Sequence, residues 1–139
     1  IPGEVIVQSF SPDHYAVETA SRHDYEGFYR TEIAHREELS YPPFSRLISL
    51  VWSDPVDGYA ESRLRELTDR LRERVRGEKV SILGPSASSI ARLKGLYRWR
   101  ALMKIEEGDP TPIVKQCVNE LPTAERAGLT VDVDPMTMI

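Results

Sequence analysis

Residues 96 to 105 alternate with a period of two. Tyr97, Trp99, Ala101, Met103 and Ile105 take one set of positions, and Leu96, Arg98, Arg100, Leu102 and Lys104 take the other. Successive side chains of a β-strand point to opposite faces, so this stretch reads as a strand with an apolar face and a cationic face. A helix would mix the two sets on one surface. The stretch therefore calls for a sheet that packs something against one side and turns arginines and a lysine to the other.

The surrounding patterns supply such a sheet. Residues 46 to 53 are rich in Leu, Ile, Val and Trp and read as a strand ended by Asp54-Pro55. Residues 58 to 76 give the clearest helix: Ala60, Leu64, Leu67, Leu71 and Val75 recur at steps of three and four. The pairs Glu61/Arg65 and Glu66/Arg70 support it, and Gly77 is a natural stop. A short strand is expected at 79 to 83. Gly84-Pro85 and the small residues Ser86 to Ser89 then read as a turn. Residues 89 to 94 and 96 to 105 pair as a hairpin around Gly95. Thr111 is a candidate N-cap with Pro112 at the first helical position, followed by Ile113, Val114, Cys117, Val118 and Leu121 on one side. Pro122 closes that helix, and residues 129 to 133 alternate as a last strand.

Upstream, residues 4 to 10 read as a buried strand ended by Ser11-Pro12-Asp13. A short helix is expected from His14 to about Arg22. A second one from Asp24 places Tyr25, Phe28, Tyr29, Ile33 and Leu39 near one stripe, and Tyr41-Pro42-Pro43-Phe44 stops it. From residue 45 onward the order is strand, helix, strands, helix, strand. That is the split β-α-β pattern of ferredoxin-like α+β domains, with helices on one face and the other face left for a partner.

Composition narrows the classes further. A chain of 139 residues holds one ordinary domain and a short extra piece. Its apolar runs are too short to span a bilayer, and residues 1 to 4 lack the basic and apolar regions of a signal peptide, so a cytoplasmic protein without a membrane role is expected. Ile1 stands where an initiator methionine would, which reads as a piece cut from a longer chain. The single cysteine, Cys117, excludes an intrachain disulfide framework and any cysteine-pair zinc site. The net charge of −4 conceals an asymmetry: residues 79 to 105 carry six cations and no acid, leaving −10 on the remainder.

Arg92, Lys94, Arg98, Arg100 and Lys104 are the candidate binding residues. As a basic strip they suit phosphate contact through charge and counterion release. As a solvated sheet face they need no ligand at all, and charge alone leaves both readings open. Tyr97 and Trp99 invite base stacking, but their alternation with Ala101, Met103 and Ile105 favours core packing. Asp132 and Asp134 suit a polar strand face and a turn better than a metal or paired-acid site. His14, His23 and His35 lack zinc spacing and read as surface or capping residues. The stretch from Gly84 to Ser89 lacks the Lys and Ser/Thr of a phosphate-binding P-loop. No catalytic residue and no metal ligand is expected.

Several stretches in order resemble the C-terminal part of the primosomal protein N′ family, the bacterial replication-restart DNA helicases. They are Pro2-Gly3-Glu4-Val5-Ile6-Val7-Gln8, Pro12-Asp13-His14-Tyr15-Ala16, Tyr41-Pro42-Pro43-Phe44 and Leu83-Gly84-Pro85. Ile90 to Gly95 with Tyr97-Arg98-Trp99-Arg100, and Val131 to Pro135, continue the series. The resemblance implies that residues 1 to 22 trail the second helicase lobe and that 23 to 139 form a C-terminal α+β domain similar to ribosomal S10. It also implies that ATP, Mg and zinc belong to parts of the family outside this chain, which then has no cofactor of its own. Implied partners are forked or single-stranded DNA, the tail of single-stranded DNA-binding protein, other primosome proteins and the rest of the helicase, at the bacterial nucleoid. The resemblance favours phosphate contact by the Arg92 to Arg100 hairpin. Glu106, Glu107 and Asp109 depart from the basic or polar character of relatives, which weakens a transfer of the protein-docking site. The competing expectation is a domain that braces the helicase lobes without touching DNA.

Overall fold

The computed structural model describes residues 3–136, and the chain divides into two compact units between Leu39 and Ser40.

The first unit is a helical hairpin of α1 (Tyr15–Ser21) and α2 (Tyr25–Glu38). Each helix begins at a residue whose side chain satisfies an otherwise unpaired backbone N–H. His14 Nδ1 accepts from the Ala16 amide at 3.2 Å, and Asp24 Oδ1 accepts from the Gly27 amide at 2.9 Å. The two helices meet where the Tyr15 ring stacks on Phe28 at 6.1 Å between centroids and its hydroxyl donates to Glu32. Glu32 also accepts from Arg36 Nε at 2.6 Å. The Tyr15 hydrogen bond, and then that of Arg36, hold the Glu32 carboxyl below the usual glutamate range. Of the expected stripe on α2, Phe28 and Ile33 are half-buried while Tyr25 and Tyr29 face solvent.

Residues 4 to 10, expected as a buried strand, form no strand. Val5, Ile6 and Phe10 are almost fully exposed. An apolar run with strand propensity becomes a strand only when a neighbour pairs its backbone groups, and none of the described strands does so.

The second unit carries the sheet. In chain order its elements are β1 (Arg46–Asp54), α3 (Asp57–Arg74), β2 (Val80–Leu93), β3 (Leu96–Ile105), α4 (Thr111–Asn119), α5 (Thr123–Arg126) and β4 (Leu129–Val133). The strands lie in the order β2-β3-β1-β4, with every neighbouring pair antiparallel. β1 and β2, joined by α3, are separated by β3, and this is the split β-α-β arrangement that the sequence predicts. The α+β ferredoxin-like expectation is met from residue 46 onward.

Packing follows the two periodicities. Ile48, Leu50 and Trp52 of β1 pair with Met103, Ala101 and Trp99 of β3 on one face of the sheet. Ala60, Leu64, Leu67 and Leu71 of α3 and Val114 and Cys117 of α4 close over them. Burial pushes the Cys117 thiol pKa up, so it sits in this core as a small apolar group. α3 starts with Asp57, whose carboxylate accepts the Trp99 indole N–H at 2.6 Å. Of the two exposed pairs expected on α3, Glu61 and Arg65 do pair, at 2.5 Å, but Glu66 meets Arg63 at 2.9 Å instead of Arg70.

β2 departs from expectation in one respect. The stretch from Gly84 to Ser89 is not a turn; β2 runs through it as one strand, with register shifts between Leu83 and Ser86 and between Ala87 and Arg92. Gly84 adopts φ +92°, and a Cβ there would lie 2.8 Å from the Arg100 carbonyl oxygen, so the backbone bends tightly against β3 where only glycine fits. Small residues thus mark close approach rather than chain reversal. The reversal comes at Lys94 and Gly95, both with positive φ, between the paired residues Leu93 and Leu96. That is a two-residue turn of the type whose twist matches flanking strands.

β2 is an edge strand, and α3 guards it. The Lys79 carbonyl accepts from Glu106 at 2.9 Å, toward β3, so with a period of two the Ile82 carbonyl points outward. Arg72 Nη2 donates to the Gly84 carbonyl at 2.6 Å and to the Ile82 carbonyl at 3.3 Å. At α4 the cap lies one residue earlier than expected. Pro110 holds the N-cap position, and Asp109 Oδ1 accepts from the Thr111 amide at 3.1 Å.

Candidate nucleic-acid interface

The face of the sheet opposite α3 and α4 carries the odd-numbered positions of β1 and the even-numbered positions of β3 and β4. Arg98 lies across from Ser53, Arg100 from Val51, Leu102 from Ser49 and Lys104 from Leu47. On the far side of β1, Thr130 sits beside Val51 and Asp132 beside Ser49. The strict alternation of β3 thus puts Arg98, Arg100 and Lys104 on this face and Trp99 on the other, half-buried against the core and bonded to Asp57. Trp99 is a packing residue, as the alternation predicts. Tyr97 is half-buried near the hairpin tip, with the Arg92 guanidinium 4.9 Å from its ring centroid.

The five candidate cations separate into two groups. Lys104 is at the end of β3 far from the hairpin tip, and its Nζ lies 3.9 Å from the centroid of the Tyr41 ring. Lys79 nearby pairs with Glu107 at 2.7 Å, which raises the lysine pKa. The acids at 106 to 109 therefore serve local contacts: Glu106 accepts from Ser40 Oγ at 3.3 Å and Asp109 Oδ1 accepts from the Thr111 amide at 3.1 Å. At the tip, Lys94 and Arg98 take no ion-pair or hydrogen-bond partner among the described residues. Arg92 leans on Tyr97 with its guanidinium still exposed. Arg100 lies between the two groups, across β2–β3 from Ser86.

Between the tip and the sheet lies a concavity of about 370 Å³. Ser49, Val51 and Ser53 form its floor, Thr130 and Asp132 one wall, and Leu93, Lys94, Leu96 and Arg98 the other. It exists because four facing floor and wall positions carry short side chains, while the hairpin tip arches over them. Period and charge find Lys94 and Arg98 in the sequence. They do not find Ser49, Ser53 or Thr130, whose signal is only that they are small.

Asp132 and Asp134 do not act as a pair. Arg46 grips Asp134 with Nη2 at 2.8 Å and Nε at 3.2 Å, and approaches Asp109 at 3.9 Å. This grip holds the Asp134 carboxyl below the usual aspartate range. Asp132 stands apart, exposed at the rim of the concavity. His14 is the cap of α1, and no group of three or more His, Cys, Asp or Glu among the described residues is placed to hold a metal ion. No helix among them is long and apolar enough to cross a membrane.

Residues 37–136 match the family described as Primosomal protein N C-terminal domain. Among curated proteins, the chain is 40% identical over 106 residues to Replication restart protein PriA of Bacillus subtilis, covering 76% of this chain and 13% of that one. It is 31% identical to the protein of the same name from Synechocystis over 99% of this chain and 16% of the relative. It is 32% identical to that of Chlamydia pneumoniae over 99% of this chain and 18% of the relative. The chain thus spans less than a fifth of the length of each of these three relatives. With the sheet, its basic face and a family match over residues 37–136 in place, the chain belongs to the family of primosomal protein N C-terminal domains.

Proposed function

We propose that this domain is a non-catalytic binding module of a replication-restart helicase in the bacterial cytoplasm, holding forked or single-stranded DNA on the sheet face opposite α3 and α4. The observation that carries the reading is the pair Lys94 and Arg98, cations without an ion-pair or hydrogen-bond partner among the described residues, beside an open concavity. Cations that are not neutralised within the protein are the ones available to displace counterions from a phosphate backbone. Arg100 and Arg92 extend the surface, whereas Lys104, lying on Tyr41, contributes least. In this reading residues 1 to 22 trail the second lobe of the helicase, and 23 to 139 form the C-terminal domain. ATP, Mg and zinc chemistry then belongs to parts of the parent protein outside this chain.

A bracing role is the second reading. It is favoured by Val5, Ile6 and Phe10, an apolar stretch almost wholly exposed here that suits cover by the rest of the helicase. Docking of the tail of single-stranded DNA-binding protein or of other primosome proteins belongs to the same proposal and rests on the family resemblance alone.

Fluorescence anisotropy with labelled forked, single-stranded and duplex DNA at two salt concentrations separates the readings. DNA holding predicts fork or single-strand binding that weakens with salt, and a loss of about tenfold or more in the Arg98→Glu/Arg100→Glu variant. Absence of binding to every DNA by the folded protein would favour the bracing or protein-docking role instead.

A further inference from the structure

The shape and chemistry of the concavity exceed what phosphate contact requires. A backbone-tracking surface needs only cations on a ridge or groove. Here the sheet is hollowed by Ser49, Ser53 and Thr130, and the hollow is lined by the apolar side chains of Val51 on its floor and Leu93 and Leu96 on its wall. Its volume of about 370 Å³ lies at the lower end of the range for small-molecule sites, enough for one nucleoside. Aliphatic side chains flanking a slot suit the flat face of a heteroaromatic ring, and the hydroxyls on the floor suit its polar edge.

Among the described residues, Asp132 is the one carboxylate that lines the hollow. A phosphate-binding surface has no use for it, because an ionised carboxylate repels phosphate oxygens. It is, however, an acceptor-only group, so whatever enters must present donors to it. The exocyclic amines of cytosine, adenine and guanine do so, and acidic side chains pair with such amines in base readout. Thymine offers a single N3–H between two carbonyl oxygens, which face the carboxylate unfavourably. Lys94 and Arg98, on the opposite wall, are placed for the phosphates that flank an inserted base.

We propose that this concavity is a subsite for one unpaired nucleobase bearing an amine, with Asp132 as the acceptor that selects it and Lys94 and Arg98 holding its flanking phosphates. The proposal rests on the DNA-holding reading and deepens it from backbone contact to base selection. An unpaired base is what a single strand at a fork provides and what intact duplex withholds.

The test uses the whole chain and short oligothymidine strands carrying at their centre a thymidine, a cytidine or an abasic sugar. The wild-type protein is expected to bind the cytidine strand about three- to tenfold tighter than the other two. In Asp132→Ala the preference disappears, and the thymidine and abasic strands bind tighter than to wild type because a repelling charge is gone. Thr130→Phe fills the hollow from an exposed strand position, and it is expected to abolish the preference for the cytidine strand. If all three strands bind wild type equally, and Asp132→Ala tightens them alike, DNA holding stands and the base subsite is overturned. If no strand binds the folded protein, the DNA-holding reading fails, and the subsite with it.

Discussion

Lys104 and Arg98 sit on the same face of the same strand, three alternations apart, yet their surroundings are opposite. Around Lys104 the chain supplies an aromatic ring from Tyr41, and its neighbour Lys79 has Glu107. Around Arg98 it supplies serines and an open hollow. A row of cations in a sequence is therefore not one functional unit. What distinguishes its members is whether the fold brings an internal partner to each, and for Lys104 that is decided by Tyr41, far away in sequence. The helix-covered face makes a second contrast. There the same strand is held by burial, so a change should show in stability rather than in binding.

The sharpest way to break the contrast is to damage each side separately. Leu64→Ala, on the buried face of α3, should lower the free energy of unfolding by about 2 to 5 kcal/mol, read from urea denaturation. DNA affinity of the remaining folded protein should be unchanged. A loss of DNA affinity in step with stability would mean that the two faces are not independent. Next in size, Arg98→Ala should weaken single-strand binding several-fold and flatten the salt dependence by about one unit of slope. Lys104→Ala should change affinity by less than about twofold while costing roughly 0.5 to 1 kcal/mol of stability from the lost contact with Tyr41. Equal effects of the two substitutions on binding would erase the distinction between the ends of the strand.

The smallest expected effect concerns acid. Asp134 has a folded-state pKa lowered by the hydrogen bonds from Arg46, so its contribution to stability is present above the ordinary aspartate value of 3.8 and is lost as pH falls through the lower folded value. Asp134→Asn should therefore be slightly less stable than wild type at neutral pH, with the gap closing in strong acid. Both side chains are about half exposed, so solvent screening keeps the difference small. A gap that widened on acidification would contradict the assignment of the pair.

Much of the sheet domain was legible because its signals are periodic. The steps of α3 pick out Ala60, Leu64, Leu67 and Leu71, all fully buried, and the alternation of β3 sorts its arginines from its core. The hairpin turn at Lys94-Gly95 was legible from its glycine. Gly84 to Ser89 was misread because small residues and proline carry two meanings, chain reversal and close backbone approach, and only the Arg100 carbonyl beside Gly84 tells which applies. Residues 4 to 10 were misread for a different reason: alternation states which side chains share a face and says nothing of whether a neighbouring strand exists. At the candidate site the charges were legible and the cavity was not, since a hollow is made by what Ser49, Ser53 and Thr130 lack. The separate fates of Asp132 and Asp134 turn on Arg46, which is distant in the chain.

The grip of Arg72 on the outward carbonyls of Ile82 and Gly84 has a bearing on the protein's life in a crowded cell. A bare strand edge is a template on which any extended chain can grow, including another molecule of the same protein. With two successive acceptors already engaged by a charged side chain, and Pro85 offering no amide to donate, that stretch of the border is closed to self-propagating sheet extension. The sheet can then keep its hollowed face open without that edge becoming a seed for the protein's own precipitation.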